Sequence, residues 1–361
     1  MKKIDAHGAD LYALTHTYHL RPEDISDFSS NINPLGPSPK ALETLKHHLD
    51  AARVYPDPHY RDLKEAISSY LGVKDAPLLL GNGTSQLIAD AIETIAPKKA
   101  MVNVPCYSEY ENELRRIGAD IVHLPLLPEE DFAFDVDRAI DLIEKESIDL
   151  YVITNPNNPT GTLISLEDLL RLLEETEVVL LVDETYVEFV GQEASAIPLA
   201  LSHPRILVLR STSKFFASPG LRLGYGVTSD EALFSSIENA SRLWGLSIYA
   251  DLMGQAMFRD VSYQEEVLTL VKTEREKALK RLGTSPHLRP LPSFGNFILT
   301  EILGPVSAKE LREALLPKGL VIRDCASFGL GSQFFRFCIL SPEENARLLA
   351  DIFAFMEKEC P

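Results

Sequence analysis

Lys214 stands in the stretch STSKFFASPGLR at 211–222, directly behind the apolar run 206–209. An amine at a strand end, with hydroxyls before it and Arg222 eight residues on, has the makings of a Schiff-base lysine beside a phosphate-binding group. Lysines form such imines with aldehydes of the pyridoxal phosphate kind, whose ring then withdraws electrons from the substrate. A solvated surface lysine would look the same in isolation. Two upstream segments change the balance. In VVLLVDETY at 178–186 a five-residue apolar run reads as a strand buried on both faces. Asp183 at its end lies where open α/β sheets gather ligands, so it could pair with a protonated pyridine nitrogen, or else cap a following helix. Tyr186 could reach a ring hydroxyl. In YVITNPNNPTG at 151–161 a β-branched strand runs into a turn of Asn, Pro and Gly, residues that fix backbone geometry. An ordinary turn explains the prolines and Gly161. It does not explain the order Asn158, Asp183, Lys214, each behind a buried strand.

With these segments in this order the chain resembles the pyridoxal-phosphate enzymes of the aspartate-aminotransferase fold, over essentially its whole length. The resemblance implies an α/β architecture: a large domain with a mostly parallel sheet flanked by helices, plus a small α+β domain. It assigns Asn158 and Tyr186 to the ring hydroxyl, Asp183 to the pyridine nitrogen and Lys214 to the imine. LLLGNGTS at 78–85 is similar to the turn that receives the cofactor phosphate, which gives that role to Gly83, Thr84 and Ser85. A glycine turn opening a helix does offer free N–H groups and a positive dipole end. Ser211, Ser213 and Arg222 would complete the cup, the guanidinium through charge-assisted bonds. Tyr107, in VPCYSEY at 104–110, matches the aromatic stacked on the ring, although burial habits alone suggest a core tyrosine. Arg336, in FFRF, matches the arginine that holds the α-carboxylate, a task suited to a planar fork of donors. Tyr55, in RVYPDP at 53–58, resembles a tyrosine that reaches the cofactor phosphate of a neighbouring subunit. That implies a homodimer with shared active sites; otherwise YPDP is a rigid loop.

The N-terminus separates the subfamilies. His7 and Gly8, followed by NINPLG at 31–36, resemble the opening of the L-threonine O-3-phosphate decarboxylases of cobalamin biosynthesis. The related histidinol-phosphate aminotransferases share the cofactor motifs and YPDP but usually lack this combination. RDCASF at 323–328 also resembles the decarboxylase tail, where the arginine helps bind substrate. Ala9 departs from the pattern, standing where the family usually has glycine, and would strain a turn that needs a positive φ. His7, Asn33 and Arg323 are the expected contacts to a substrate phosphate. The resemblance implies decarboxylation of L-threonine O-3-phosphate to 1-aminopropan-2-yl phosphate, with L-serine O-phosphate as a second candidate. Histidinol-phosphate amino transfer with 2-oxoglutarate is the alternative. The same catalytic residues serve both, because the bond held perpendicular to the ring is the one that breaks.

The elements that must position these residues are legible as well. Apolar runs near 78–80, 100–104, 121–126, 151–154, 178–182 and 206–209 alternate with amphipathic stretches. That alternation implies a mostly parallel sheet with helices on both faces. The large domain is expected over 51–255, with an arm and part of the small domain at 1–50 and the rest of the small domain at 256–361. Within the last, a helix is expected over 263–282, strands at 294–300, 320–324 and 334–340, a short helix at 310–316 and a closing helix after Pro342. At 361 residues and 45% hydrophobic content the chain can build two substantial cores. A net charge of −18 argues against nucleic acid or an anionic membrane as partner, and requires arginines to be gathered locally around any anionic substrate. No stretch approaches the roughly 20 apolar residues of a membrane span, and the first residues lack a signal-peptide core. Cys106, Cys325, Cys338 and Cys360 show no paired metal spacing and read as reduced thiols, so a cytoplasmic enzyme is expected.

Overall fold

A computed structural model describes residues 11–241 and 243–360. Its centre is a seven-stranded sheet in the order Leu78–Asn82, Leu223–Val227, Ile206–Ser211, Val179–Asp183, Leu150–Thr154, Lys99–Val104, Asp120–Pro125. Leu223–Val227 runs antiparallel to both of its neighbours, and every other pairing between neighbours is parallel. The central strands are apolar throughout because both faces are covered. Leu150, Val152, Leu181, Leu207 and Leu209 point into a core shared with the helices Thr84–Ile95, Glu109–Ile117 and Glu231–Ala240. Tyr151, Ile153, Leu180, Val182, Ile206 and Val208 enter the opposite core, with Val136–Glu146 and Leu166–Glu175 above them. All strands but Leu223–Val227 rise to the same edge, so Asn82, Thr154, Asp183 and Ser211 end along it.

Leu223–Val227 is the strand the sequence conceals. Its LGYGV pattern carries two glycines, which weaken a strand signal. Both are required by close approach: a Cβ on Gly224 would lie 2.6 Å from the Thr84 backbone nitrogen, and one on Gly226 would lie 2.8 Å from the Leu209 side chain.

The second sheet is antiparallel, in the order Arg323–Asp324, Phe334–Cys338, Phe297–Ile302, Leu288–Pro290. The single strand expected at 320–324 is divided between two sheets. Leu320–Val321 pairs in parallel with Ser26–Asp27, and Arg323–Asp324 pairs with Phe334–Cys338. The division ties the N-terminal segment to the C-terminal part of the chain. The helices Val261–Leu282, Ala308–Leu315 and Pro342–Glu359 flank this sheet, the last two opened by capping boxes at Ser307 and Ser341. Among the described residues no helix is long and apolar enough to cross a membrane.

Behind the strand ends lies a buried ionic network. The Arg210 Nε donates to Glu184 at 2.9 Å, and its Nη1 lies 3.6 Å from Glu188; all three side chains are essentially inaccessible. Neither Glu188 oxygen has a hydrogen-bond partner among the described residues. Burial raises the Glu188 carboxyl to about 7, against the opposing pull of Arg210. The folded state therefore favours protonated Glu188, and the stability this contributes is full at low pH and lost as pH rises through about 7. Glu188→Gln is expected to flatten the fall in unfolding free energy between about pH 5 and 7.5, by up to about 1.4 kcal/mol per pH unit. An unchanged pH slope in the variant would mean that Glu188 is ionised throughout.

Candidate active site

The strand ends, the segment 29–32 and the Arg323–Arg336 strand pair enclose a cavity of about 340 Å³. Lys214 enters three residues beyond the strand Ile206–Ser211, and its Nζ donates to the Ser30 carbonyl at 2.7 Å. Burial, and secondarily the Arg336 guanidinium, lower its ammonium to about 8. An amine that gives up its proton near neutrality is the form that attacks an aldehyde.

Asp183 is 4% exposed at the end of its strand. Its Oδ1 accepts from the Thr185 N–H at 2.9 Å and the Thr185 hydroxyl at 2.5 Å, and its Oδ2 accepts from the Tyr110 hydroxyl at 2.8 Å. Thr154 Oγ1 donates in turn to Tyr110 at 2.8 Å. Burial pushes the Asp183 carboxyl up, and the Thr185 and Tyr110 donors oppose that shift. Such a carboxylate can hold a proton on a ring nitrogen. Tyr186 sits beside it and accepts from Asn31 Nδ2 at 3.2 Å, and Tyr107 lines the same wall in an edge contact with Tyr110.

At the other end Thr84, Ser85, Ser211, Ser213 and Arg222 converge on the cavity. Gly83 opens the 12-residue helix Thr84–Ile95 at φ +79° with no side-chain cap, which leaves the first N–H groups facing the pocket end. A Cβ on Gly83 would collide with the Arg222 guanidinium. The Ser211 hydroxyl donates to Ser213 at 2.9 Å, and Arg222 is anchored by its Nη1 on the Pro219 carbonyl at 3.1 Å. Helix N–H groups, the hydroxyls and a guanidinium form a donor set that fits a phosphate, and Asp183 and Lys214 line the same cavity. The residues present therefore fit pyridoxal phosphate.

Arg323 and Arg336 are register partners on adjacent antiparallel strands, and both line the cavity. Arg336 is 4% exposed; its Nη1 donates to Asn158 Oδ1, its Nη2 donates to the Ser29 carbonyl at 2.6 Å, and its Nε has no hydrogen-bond partner among the described residues. Arg323 Nη2 donates to the Ser327 hydroxyl at 2.8 Å.

Two expected residues lie outside this cavity, Tyr55 among them in keeping with a role at a neighbouring site, and a third is not among the described residues. Asn33 does not line the cavity: its side-chain amide donates to the Phe215 carbonyl at 2.7 Å and the Tyr263 hydroxyl at 2.8 Å, and its own N–H donates to the Lys214 carbonyl at 3.1 Å. It braces the lysine from behind, and Asn31, two residues earlier at φ +55°, faces the cavity in its place. Tyr55 is 74% exposed and stacks on Trp244 with ring centroids 4.3 Å apart, outside the cavity. His7, with Gly8 and Ala9, lies outside the described residues. Sequence reasoning also missed Tyr110. Its one signal was a second tyrosine three residues after Tyr107.

The family model for class I and II aminotransferases matches residues 23–352. The chain belongs to that family. Pyridoxal phosphate is the family's cofactor. A Caldanaerobacter subterraneus protein that carries a provisional threonine-phosphate decarboxylase name is 36% identical over 335 residues, 91% of this chain and 90% of that one. The threonine-phosphate decarboxylase of Salmonella typhimurium is 30% identical over 349 residues, 96% of this chain and 95% of that one. The crystal structure of the histidinol-phosphate aminotransferase of Clostridium acetobutylicum superposes with a TM-score of 0.86 at 31% identity, covering 92% of this chain and 99% of that one. Decarboxylases and aminotransferases thus stand at similar distance.

Lys214→Ala is expected to leave no covalent adduct after borohydride treatment in the presence of pyridoxal phosphate, and no turnover; wild-type rates would overturn the site. Tyr110→Phe removes a donor from Asp183, and kcat is expected to fall about tenfold.

Proposed function

We propose that the protein decarboxylates L-threonine O-3-phosphate to 1-aminopropan-2-yl phosphate, with L-serine O-phosphate as the next candidate substrate. The product would serve as the linker of the cobalamin nucleotide loop. The observation that carries this reading is the pair of guanidinium groups, Arg323 and Arg336, which line one cavity in addition to the donor set of Thr84, Ser85, Ser211, Ser213 and Arg222. A substrate with a carboxylate and a phosphate ester satisfies both. Histidinol phosphate has no carboxylate, so it would offer the pair a phosphate alone.

Pyridoxal phosphate held in this cavity would supply an electron sink for charge left at Cα. Asp183 would hold a proton on its ring nitrogen, with Tyr110 and Thr185 keeping the carboxylate ionised. Tyr107 would stack on the ring, Asn158 and Tyr186 would face its hydroxyl, and Thr84, Ser85, Ser211, Ser213 and Arg222 would grip its phosphate. Lys214, displaced by the substrate amine, would carry a proton at Nζ. Arg336 would bind the substrate carboxylate and Arg323 its phosphate, and together they would fix the rotation about the bond from nitrogen to Cα. Held by this pair, the substrate would lose its carboxylate as carbon dioxide, and Lys214 Nζ would return a proton to Cα. Preorganised cations of this kind act without reorganising at the moment of reaction.

The working unit in this reading is a cytoplasmic homodimer. Tyr55, Val54, Leu243 and Trp244 form an exposed apolar patch, suited to carry Tyr55 to a partner's phosphate cup. All four cysteines are free thiols, as a reducing compartment favours.

The test is carbon dioxide release from L-threonine O-3-phosphate by cofactor-loaded protein without any keto acid, beside a histidinol phosphate plus 2-oxoglutarate assay. Catalytic release in the first supports the decarboxylase. Glutamate in the second, with no carbon dioxide in the first, makes the protein a transaminase.

A further inference from the structure

Phe328 is bound to no part of the reaction described so far, yet its position singles it out. It ends the short turn Ala326–Phe328, which the Asp324 carboxylate fixes by accepting from the Ala326 N–H at 2.8 Å, and Gly329 at φ +80° closes that turn. The ring packs on the apolar cluster of Leu126, Phe132, Leu291 and Phe334 and turns its remaining surface to the cavity. The Arg323 guanidinium carbon lies 5.5 Å from the ring centroid and that of Arg336 lies 5.8 Å from it. One aromatic ring therefore stands within reach of both cations, at the range where a ring quadrupole attracts a guanidinium. Phe297 holds Arg336 from a second direction at 5.3 Å.

The two arginines sit at directly opposed cross-strand positions, where like charges repel. A shared ring can set how far apart they stand. In a substrate whose carboxylate meets Arg336 and whose phosphate meets Arg323, the two carbons between those groups must cross the interval that Phe328 borders. Phe328 supplies apolar surface to the cavity wall there. A group on the phosphate-bearing carbon would meet the ring, and a hydrogen there would leave the ring face uncovered.

We propose that Phe328 is the specificity-determining residue of this site, selecting a methyl-bearing phosphate ester over its unmethylated homologue and holding the spacing of the two guanidinium groups. The proposal rests on the decarboxylase reading. A methyl filling an apolar pocket is worth about 10-fold or more in discrimination.

The experiment is calorimetric titration of the pyridoxal-phosphate-loaded protein with two amine-free ligands, 3-phosphooxybutanoate and 3-phosphooxypropanoate. Without an amine neither can react, so binding is read apart from turnover. Wild type is expected to bind the methylated ligand about tenfold more tightly, and Phe328→Ala is expected to bring the two within about twofold. Phe328→Leu, which keeps apolar bulk, should fall between and carries the test if the alanine variant does not fold. Retention of the full preference in these variants overturns the role of Phe328. If wild type binds the pair with this preference yet releases no carbon dioxide from L-threonine O-3-phosphate, the pocket assignment stands and the reaction assignment falls. If wild type binds neither ligand, both fall.

Discussion

Two guanidinium groups face each other across neighbouring strands in a chain whose formal net charge is −18, and the rest of the site is arranged around that local excess of positive charge. Like charges in such a position cost stability unless something holds them. Here the Asn158 amide oxygen, the Ser29 carbonyl, the Ser327 hydroxyl and the rings of Phe297 and Phe328 do so. The field of Arg336 adds to burial in lowering Lys214 to about 8. One arrangement therefore makes the amine nucleophilic near neutral pH and makes the cavity receptive to anions.

The sheet supplies the second half of the design through the twofold alternation of a strand. Asp183 turns into the cavity, and the next residue, Glu184, turns away to meet Arg210. On the adjacent strand Arg210 turns away and Ser211 turns in. A buried ion pair thus fastens the backs of the two segments whose fronts turn Asp183 and Ser211 into the cavity. Removing either partner would leave an uncompensated buried charge, a far larger loss than an exposed pair incurs.

Residues that follow a buried strand were legible in the sequence because an apolar run, a turn and a polar terminus leave a local signature. Asn158, Asp183 and Lys214 are of this kind, and the cavity collects all three. Residues that act through contacts distant in sequence were not. Tyr110 reaches Asp183 across 73 positions, and nothing local announces that hydrogen bond. Asn33 and Asn31 share one short motif, and only the left-handed backbone at Asn31 decides which side chain faces the cavity. The strand Leu223–Val227 was hidden by Gly224 and Gly226, whose lack of a side chain answers to crowding from other segments. The split of 320–324 between two sheets depends on a partner strand almost 300 residues earlier, at Ser26–Asp27.

In the proposed reading both reactions would draw on the same lysine, aspartate and phosphate-binding donors, so substrate rotation would separate them. Single-turnover partition between carbon dioxide and keto acid, with L-threonine O-3-phosphate as sole substrate, tests whether the arginine pair sets that rotation. Wild type should release carbon dioxide in nearly every turnover. Arg323→Gln, which frees the phosphate end, should raise the keto-acid share by roughly tenfold as orientation is lost. An unchanged partition, with only the overall rate reduced, would contradict control of bond choice by the two arginines.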